Sequence, residues 1–577
     1  MGIPDAPKRT AARMQHTETP LPMTATTGVP VDADRPPIVL PHRVRLEILG
    51  AVLLGIFLSA LDQTIVGTAL PTIVTDLEGN DVYVWAFTAY LVTATISGPI
   101  YGKLSDLFGR RLLFTIGVSI FLLGSILSGL SQDMWQLIAF RGLQGLGAGA
   151  IFPIALAIIA DIFAPSERGK YQGFFGAVFG LSFLLGPALG GLITDNFGWQ
   201  WIFYVNIPLG AIVLVIIWRT LPSVRDPDAD RNIDYLGASL FIAALLPFLI
   251  GLTNKQFGEW TDPAVGGLIA IGFLLGGAFV WAESRAKEPI VPLKLFRNPA
   301  FTASVVAIFL AAMGFFAVVV FLPRWYQVVG GASATESGYQ ILPLLGGLII
   351  SAVSSGQIVA RTGRYKALIL VALLVLALGL FMLTNLRTNT PGPLVWLWMA
   401  VTGLGIGPTF AVFTLVVQNS VPVRQLGAAT SNVTLFQQLG GTVGLAIAGT
   451  IFGSVILEEV PRQLTAAGVP AQFADQFASS GGGALNDFAA VGDLGASILA
   501  DVPEEFRAQV EPMIPAIVDG IHNAFSIATA STFVVGIGTA LLAFLGVAVL
   551  LPASRREARA AAADEPGARP PAEVLSD

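Results

Sequence analysis

Two ionisable residues, Asp62 and Arg141, lie inside long apolar stretches of the sequence, at 48–70 and 135–160. A charge buried in hydrocarbon is expensive, so such a residue is a functional candidate by default. A carboxyl group in a low-dielectric cavity holds its proton more tightly, whereas an opposing arginine favours the ionised form. The pair therefore predicts a site where Asp62 takes up and releases a proton beside Arg141.

The depth of the two residues is compatible with direct contact. If the two stretches are antiparallel helices, Asp62 lies about 13 Å before Pro71 and Arg141 lies about 9 Å after Trp135, at 1.5 Å per residue. This places them within about one helical turn of each other. A static ion pair that locks two helices is the alternative. No histidine or second acid lies equally deep, so Asp62 has no rival as a proton carrier.

The elements that position these residues are apolar segments of membrane-spanning length. About 20 apolar residues cross the hydrocarbon core as a helix, and fourteen such segments are present. Their approximate spans are 48–70, 83–102, 112–130, 135–160, 171–194, 201–218, 235–252, 264–282, 300–323, 337–360, 367–386, 393–418, 427–456 and 525–551.

The composition excludes several classes of protein. Of the 577 residues, 12% are charged and 54% hydrophobic, and the mean hydropathy is +0.72, which rules out a soluble multidomain protein. Cysteine is absent and the three histidines are scattered, so no metal site, disulfide or cofactor is expected. The net charge of −6 argues against nucleic acid as a partner. No phosphate-binding loop for an ATP-driven pump occurs, and the spans contain too few polar groups for a membrane enzyme.

The distribution of lysine and arginine predicts the topology. With a cytoplasmic N-terminus, 26 of the 32 Lys and Arg residues fall in cytoplasmic segments and five in outer loops. This asymmetry predicts a multi-pass protein of the cell membrane with both termini in the cytoplasm. The predicted organisation comprises disordered tails (1–45 and 554–577), six-helix bundles (46–220 and 299–553), two inserted helices (221–298) and an outer loop (457–522).

The outer loop 457–522 is acidic and contains apolar residues at helical spacing near its end. This pattern predicts an amphipathic helix at the outer membrane interface. A lid, an attractor for cations and a plain solvated loop are the possible roles.

An internal repeat links the two halves. Gly102 and Gly109 are followed by Arg110, and Gly356 and Gly363 are followed by Arg364 in the same pattern. Further on, the Gly-x-Gly-x-Gly of 145–149 recurs at 403–407, so the register holds with an offset of 254 to 258 residues. A parallel duplication of six-helix halves around two extra helices fits the count as 6 + 2 + 6. Alternating-access transporters are built from such repeats.

The loop at 102–111 suits a conformational latch. Its two glycines, Gly102 and Gly109, permit tight turns and close helix approach. Asp106 can meet a helix N-terminus or an arginine, while Arg110 and Arg111 can engage carboxylates or lipid phosphates. Setting the membrane topology is the alternative role for the basic residues. The second copy has Ala360 in place of the acid, so a latch would be one-sided.

These motifs together resemble the fourteen-helix drug:proton antiporter branch of the major facilitator superfamily. The matching stretches are Leu61–Pro71, Gly102–Arg111, Arg141–Gly145, Gly186–Gly191 and Trp199–Pro208. The resemblance implies an all-α membrane protein with fourteen helices arranged 6 + 2 + 6. The Gly-Pro pattern in the fifth helix is associated with exporters in that family.

Two further sets of residues have expected roles. Gly186 and Gly190 form a small-residue stripe that permits close helix packing. Pro187 and Gly191 lie in the same segment, which could therefore bend as well as pack closely. Static packing alone would use the same glycines. Large apolar walls with sparse polar anchors suit bulky amphipathic compounds. The substrate-cavity candidates are Gln63, Trp85, Tyr90, Gln144, Phe152, Phe179, Phe410, Phe413, Asn432, Gln437 and Gln438.

The expected function is export of hydrophobic or amphipathic, often cationic, drugs in exchange for protons by alternating access. The expected partners are a small-molecule substrate, protons and the lipid bilayer, and the protein is expected to be a monomer that is not an enzyme. Export of an endogenous lipid, siderophore or antibiotic is the alternative with the same mechanism. A channel or a membrane sensor is the alternative of another class.

Overall fold

The protein is an all-helical bundle in the part of the chain that the structure describes. The structure is a computed structural model that describes residues 2, 40–77, 83–163, 165–223, 234–255, 258–422, 425–469, 495, 507 and 510–553. Within these ranges no strand occurs. The principal helices, numbered in chain order, are α1 (His42–Asp76), α2 (Tyr83–Phe108), α3 (Arg110–Gly129), α4 (Met134–Ile162), α5 (Pro165–Phe197), α6 (Trp201–Tyr204), α7 (Asn206–Thr220), α8 (Tyr235–Asn254), α9 (Leu268–Glu283), α10 (Pro299–Val328), α11 (Ala334–Gln340), α12 (Leu342–Thr362), α13 (Tyr365–Leu383), α14 (Gly392–Ser420), α15 (Leu426–Ala466) and α16 (Ile514–Leu550).

The number of long helices matches the fourteen predicted segments. Twelve spans in the described residues are long and apolar enough to cross a membrane, counting α6 with α7 as one. The two other long helices are α2, of 26 residues, and α5, of 33 residues. Helix α2 packs against α4, and α5 packs against α1 and α12, so both lie within the bundle. The predicted all-α membrane fold is confirmed.

The duplication is visible in how the helices pack. Helix α4 packs against α2 and α3, and α14 packs in the same way against α12 and α13. A Cβ atom on Gly145 would overlap the backbone oxygen of Tyr90 on α2, and one on Gly403 would overlap that of Leu344 on α12. Both halves therefore use glycine at the same register to bring two backbones into contact.

The turn that ends the second helix of each half is also duplicated. Gly109 has a φ of 97° and Gly363 has a φ of 69°, a backbone region that glycine occupies without steric penalty. These two glycines are the equivalent positions of the repeat identified from sequence.

The inserted pair, α8 and α9, packs on the outside of the two halves. Helix α8 contacts α2 of the first half and α15 of the second. A small hydrophobic cluster joins the four elements and includes Val92 of α2, Phe241 of α8, Phe279 of α9 and Leu435 of α15. The pair is therefore attached at the junction between the halves.

Helix ends differ from the predicted boundaries in two places. Helix α1 begins at His42, inside the predicted tail 1–45, whereas 3–39 and 554–577 lie outside the described residues. Helix α15 continues to Ala466 and α16 begins at Ile514, so both ends of the predicted loop 457–522 are helical. Apolar residues continue at helical spacing there, and Leu464 and Ile517 share one buried core. Some of the apolar residues that predicted a helix at the membrane interface are therefore core residues of α16, and Ile517 is one of them. Most of the loop, 470–494, 496–506 and 508–509, lies outside the described residues.

Candidate functional site

Asp62 lies at the centre of a buried polar network in the first half. It is completely buried on α1, as Arg141 is on α4. The Nη1 atom of Arg141 donates to Oδ2 of Asp62 at 2.5 Å, which closes a direct ion pair. Both side chains lie in the apolar middle of their helices with no exposed surface, which isolates the pair from water. The two deep charges expected from sequence therefore do meet.

Two amide side chains satisfy the other oxygen of Asp62. The Nε2 atom of Gln144 donates to Oδ1 at 2.8 Å, and the Nδ2 atom of Asn206 donates to the same oxygen at 3.0 Å. Asn206 is the first residue of α7 and also donates to Ser125 of α3 at 2.9 Å. The carboxylate is thus held by donors from α4 and α7, with three hydrogen bonds in total.

Arg141 is held on several sides at once. Its Nη1 also donates to Oε1 of Gln144 at 2.7 Å, and its Nε donates to the backbone oxygen of Ala86 on α2 at 3.3 Å. The guanidinium carbon lies 4.3 Å from the ring centre of Tyr90, in cation–π geometry. Arginine keeps its charge in a protein, so protonating Asp62 would leave a buried cation supported by dipoles and an aromatic face alone. Nη2 of Arg141 has no hydrogen-bond partner in the described part of the chain.

Tyr90 connects this network to the first helix. Its hydroxyl lies 3.1 Å from the hydroxyl of Ser59, one turn before Asp62 on α1. The side chain is fully buried. The sequence suggested Tyr90 as part of a substrate-cavity wall, whereas here its ring and hydroxyl are engaged with Arg141 and α1.

The second cluster lies where α2 meets the start of α15. The two carboxylate oxygens of Asp106 accept hydrogen bonds from the backbone nitrogens of Gly427 and Ala428, at 3.0 and 2.9 Å. These nitrogens belong to the first turn of α15, whose N–H groups lack partners within the helix and carry positive partial charge. The contact joins the first half of the chain to the second.

Arg110 binds this carboxylate from within the first half. It forms an ion pair with Asp106, and its Nε donates to Oδ2 of Asp161 at the end of α4 at 3.0 Å. Its Nη1 donates to the hydroxyl of Ser105 at 2.6 Å. We call Ser105, Asp106, Arg110, Asp161 and the N-terminal turn of α15 the inter-half latch. Gly102 belongs beside it, because a Cβ atom there would overlap Ser431 and lie 2.8 Å from the oxygen of Gly427.

Arg111 lies apart from the inter-half latch. Its guanidinium carbon lies 4.4 Å from the ring centre of Trp218 on α7. It therefore packs against the outer helix of its own half. Of the five residues predicted for the latch, Gly102, Asp106 and Arg110 contact one another or α15, while Gly109 provides the turn.

Comparison with known sequences identifies the family to which this chain belongs. A sequence profile described as Major Facilitator Superfamily matches residues 52–445, which is more than half of the chain. The chain belongs to the major facilitator superfamily.

Relatives in this superfamily include named efflux proteins. The chain is 36% identical over 492 residues to the multidrug transporter protein MdtP of Bacillus subtilis, covering 83% of this chain and 90% of that protein. It is 35% identical to multidrug resistance protein 3 of the same organism, covering 86% and 93%. It is 33% identical to the tetracenomycin C resistance and export protein of Streptomyces glaucescens, covering 73% and 78%. The multidrug branch suggested by the motifs is confirmed.

Solved structures agree on the fold. The proton:xylose symporter XylE aligns with a TM-score of 0.56 at 15% sequence identity, covering 90% of this chain and 99% of that protein. The human organic anion transporter MFSD10 aligns with a TM-score of 0.56 at 15% identity, covering 88% and 100%. The protein is thus a multi-pass membrane transporter of this superfamily that handles small molecules.

The predicted hinge segment of α5 packs on α1. A Cβ atom on Gly186 would overlap Thr64, and one on Gly190 would lie 2.9 Å from the backbone oxygen of Ile65. Gly191 faces open space, with no atom within 4 Å of such a Cβ. The side chain of Pro187 lies outside the described part of the chain. Close packing against the helix of Asp62 therefore involves Gly186 and Gly190 and excludes Gly191.

The predicted cavity residues fall into different environments. Gln144 is fully buried and committed to Asp62 and Arg141, and Asn432 is fully buried with its Nδ2 donating to the oxygen of Ala428. Phe410 packs edge-on against Phe315 in the core of the second half. The side chain of Phe179 lies outside the described residues. Among the described candidates, the partly exposed ones are Gln63, Trp85, Phe152, Phe410, Gln437 and Gln438.

Sequence reasoning missed two contributors to these sites. Asn206 stands at the centre of the Asp62 network, and Lys103 pairs with Glu288 beyond α9, with 2.6 Å between Nζ and Oε2. Asn206 carries a usable signal, because it is an amide within a strongly apolar segment. Lys103 carries no such signal in the sequence, since its partner Glu288 lies 185 positions away.

Proposed function

We propose that this protein exports hydrophobic or amphipathic, often cationic, drugs from the cytoplasm in exchange for protons. It acts by alternating access in the cell membrane, as a monomer, with both termini in the cytoplasm. It uses the proton gradient and no cofactor. The observation that carries the proposal is the buried Asp62, whose two oxygens accept from Arg141, Gln144 and Asn206.

Asp62 is suited to couple proton movement to a conformational change. Its donors come from α4 and α7, so a proton on the carboxyl group removes the anion to which these helices are hydrogen-bonded. The gain of a proton therefore loosens the arrangement of α1, α4 and α7, and its loss restores it. A cationic substrate that reaches the site competes with Arg141 for the same carboxylate and favours proton release.

The inter-half latch is suited to close the cytoplasmic side. Asp106 bridges the halves by accepting from two backbone groups of α15. On the topology proposed from the lysine and arginine distribution, this contact lies at the cytoplasmic face. In this proposal, the latch is intact in the state closed on the inside, with Asp62 paired to Arg141.

The driving force is sufficient. One charge that crosses a potential of 100 mV provides about 2.3 kcal/mol. This free energy supports about a fifty-fold concentration gradient of substrate. This gradient applies to a neutral molecule exchanged for one proton, whereas exchange of a monovalent cation for one proton moves no net charge and is driven by the pH difference.

Efflux from everted membrane vesicles tests the proposal. Asp62→Asn is expected to abolish accumulation of a cationic dye driven by a pH step while leaving exchange down the dye's own gradient. The variant Asp62→Asn/Arg141→Gln leaves no unpaired buried charge and serves the same purpose if the single variant does not accumulate in the membrane. Asp76→Asn is the matched control, because Asp76 is an exposed carboxylate on the same helix, outside the Asp62 network, that accepts from Nε1 of Trp199 at 2.8 Å. Unchanged uphill efflux in both Asp62 variants would refute the proton-carrier role.

Export of an endogenous antibiotic is a second candidate with the same mechanism. The named tetracenomycin C resistance and export protein favours it, as a relative at 33% identity. A transport screen over drugs, lipids, siderophores and polycyclic antibiotics separates the two. A channel would instead pass solute only down its gradient, whatever the pH step.

A further inference from the structure

A group of charged side chains lies where the inserted pair joins α2, outside both sites described above. Asp234 caps the start of α8, Glu283 is the last residue of α9, and Glu288 follows five residues later. Lys103, next to Gly102 on α2, donates to Oε2 of Glu288 at 2.6 Å. Lys103 is thus paired with one of these three acids.

Glu283 is buried and incompletely satisfied. Its residue is 3% exposed, and its Oε1 accepts from the backbone nitrogen of Ile290 at 3.1 Å. Its Oε2 atom is also buried and has no hydrogen-bond partner among the residues that the structure describes. A buried carboxylate oxygen without a donor is costly, so this oxygen requires an explanation.

Asp234 carries a second unsatisfied oxygen, which lies on the side of Oε1 of Glu283. Its Oδ1 accepts from the backbone nitrogen of Gly237 at 2.7 Å, whereas its buried Oδ2 has no partner in the described ranges. A Cβ atom on Gly237 would overlap Oδ2 of Asp234 and lie 2.9 Å from Oε1 of Glu283. The two carboxyl groups therefore border one small space.

The charges around this space favour a shared proton. The charged side chains that face Glu283 from the described elements are Asp234 of α8 and Lys103 of α2. Because Lys103 is already paired with Glu288, full ionisation would leave the buried Glu283 anion beside the partly buried Asp234 anion. Two carboxylates in such a position behave as a pair that retains one proton, since the first charge opposes the second.

We propose that Asp234 and Glu283 form a proton-binding site, holding one proton between them at the junction of the inserted helices with α2. The bound proton removes one of the two charges and turns one carboxylate oxygen into a hydrogen-bond donor. This site is separate from Asp62, and it does not depend on the proposed antiport.

The site is connected to the inter-half latch. Ile290 and Val291, which follow Glu283, pack with Val92 and Ile96 of α2 in one hydrophobic cluster. Loss of the proton places two like charges between α8 and α9 and pushes this segment away from α2. Lys103 is adjacent to Gly102 on α2, the helix that also carries Asp106 of the inter-half latch. The position of α2 therefore becomes sensitive to pH through α8 and α9.

Thermal unfolding of the purified full chain, measured against pH in lipid nanodiscs, tests the site. The pair is stable while it holds its proton, so the unfolding midpoint of the unmodified protein falls as pH rises and the proton leaves. Glu283→Gln removes the buried charge itself and is expected to lose this fall in the unfolding midpoint, whereas Asp234→Asn removes the opposing charge and is expected to reduce the fall. Asn keeps the capping oxygen at position 234, so the second variant remains informative if the first does not fold.

The matched control is Asp133→Asn. Asp133 caps α4 with the same geometry, its side chain accepting from Gln136 at 2.9 Å, and it is exposed. In this variant the unfolding midpoint is still expected to fall as the pH rises. An equal fall in the unmodified protein, Glu283→Gln and Asp234→Asn would overturn the proposal.

Infrared spectroscopy identifies the ligand as a proton. In an Asp62→Asn/Arg141→Gln background, the absorption of a protonated carboxylic acid at neutral pH is expected and should disappear on Glu283→Gln. If instead added sodium ions raise the unfolding midpoint at fixed pH and no such absorption is seen, the site binds a metal cation and the proposal is wrong. Because the background lacks Asp62, either result is independent of whether the protein exchanges drugs for protons.

Discussion

The guanidinium group of Arg141 donates to the carboxylate of Asp62 at a place where neither side chain is exposed. The two residues lie 79 positions apart, on α1 and α4, and the contact is completed by Gln144 and Asn206. Removing one member of a buried pair is much more harmful than removing both, because the remaining charge is left unpaired.

The first prediction concerns the stability of this pair. Asp62→Asn and Arg141→Gln should each lower the free energy of unfolding by about 3–5 kcal/mol. The double variant should recover most of that loss, since no unpaired charge remains. Denaturant unfolding in detergent, analysed as a double-mutant cycle, measures the coupling. Additive losses would mean that the two side chains are energetically independent.

The second prediction concerns Asn206. Replacing it with alanine removes its amide bonds to Asp62 and Ser125 and leaves Oδ1 of Asp62 with Gln144 as its donor. We expect Asn206→Ala to lower uphill efflux at fixed pH and to lower the free energy of unfolding by about 1–3 kcal/mol, the cost of leaving a buried polar group unsatisfied. Asn196→Ala is the control, because Asn196 is an exposed residue of α5 whose amide donates to the oxygen of Leu192 in its own helix. Unchanged efflux in Asn206→Ala, or an equal loss in the control, contradicts this role.

The third prediction concerns the inter-half latch. Asp106→Asn should weaken its bonds to α15 and to Arg110 by about 1.5–3 kcal/mol, the range for bonds to a charged group. The population should move towards the state open at this face. The chain has no cysteine, so spin labels can be placed on cysteines introduced at the exposed positions Leu46 and Thr362 without a background. Their separation should increase in Asp106→Asn and stay unchanged in Asp133→Asn.

The fourth prediction uses two glycines of α15. A Cβ atom on Gly427 would overlap Arg110 and lie 2.6 Å from Oδ1 of Asp106, whereas one on Gly449 would meet nothing within 4 Å. Gly427→Ala should therefore prevent closure of the latch and lower efflux. Gly449→Ala should leave efflux intact and stabilise the helix by up to about 1 kcal/mol. Normal efflux in Gly427→Ala would show that this close approach is dispensable.

The fifth prediction separates packing from bending in α5. Gly186→Ala would push α5 away from Thr64 of α1 and so disturb the helix that carries Asp62. Gly191→Ala, five residues later on the same helix, has open space around it. Efflux and the unfolding midpoint should fall in the first variant and hold in the second. Equal behaviour of the two would indicate that helix flexibility, and not contact with α1, is what the glycines provide.

The sequence predicted the fold because its signals were local. Apolar length marks each helix, and the paired glycines at 109 and 363 mark the repeat, so both could be found without knowledge of contacts. The depth of Asp62 and Arg141 also followed from helical rise alone.

The partners of these residues could not be predicted in the same way. Which face of α7 Asn206 occupies depends on how α7 packs against α1 and α3, and a pattern that is apolar all round does not define a face. The same holds for Gly427, which meets Asp106 from a position 321 residues away. The ends of α15 and α16 were missed because an apolar spacing suited to a membrane surface is equally suited to a protein core.

The two hydrogen bonds that Asp106 accepts from α15 determine how the transporter can move. One carboxylate accepts from two successive nitrogens at the very tip of α15, so a small separation of α2 and α15 breaks both bonds together. Water then reaches the tip of the helix at once. A partly open state would not be stabilised by any intermediate set of contacts at this face. The molecule should therefore switch between two discrete conformations and not open gradually.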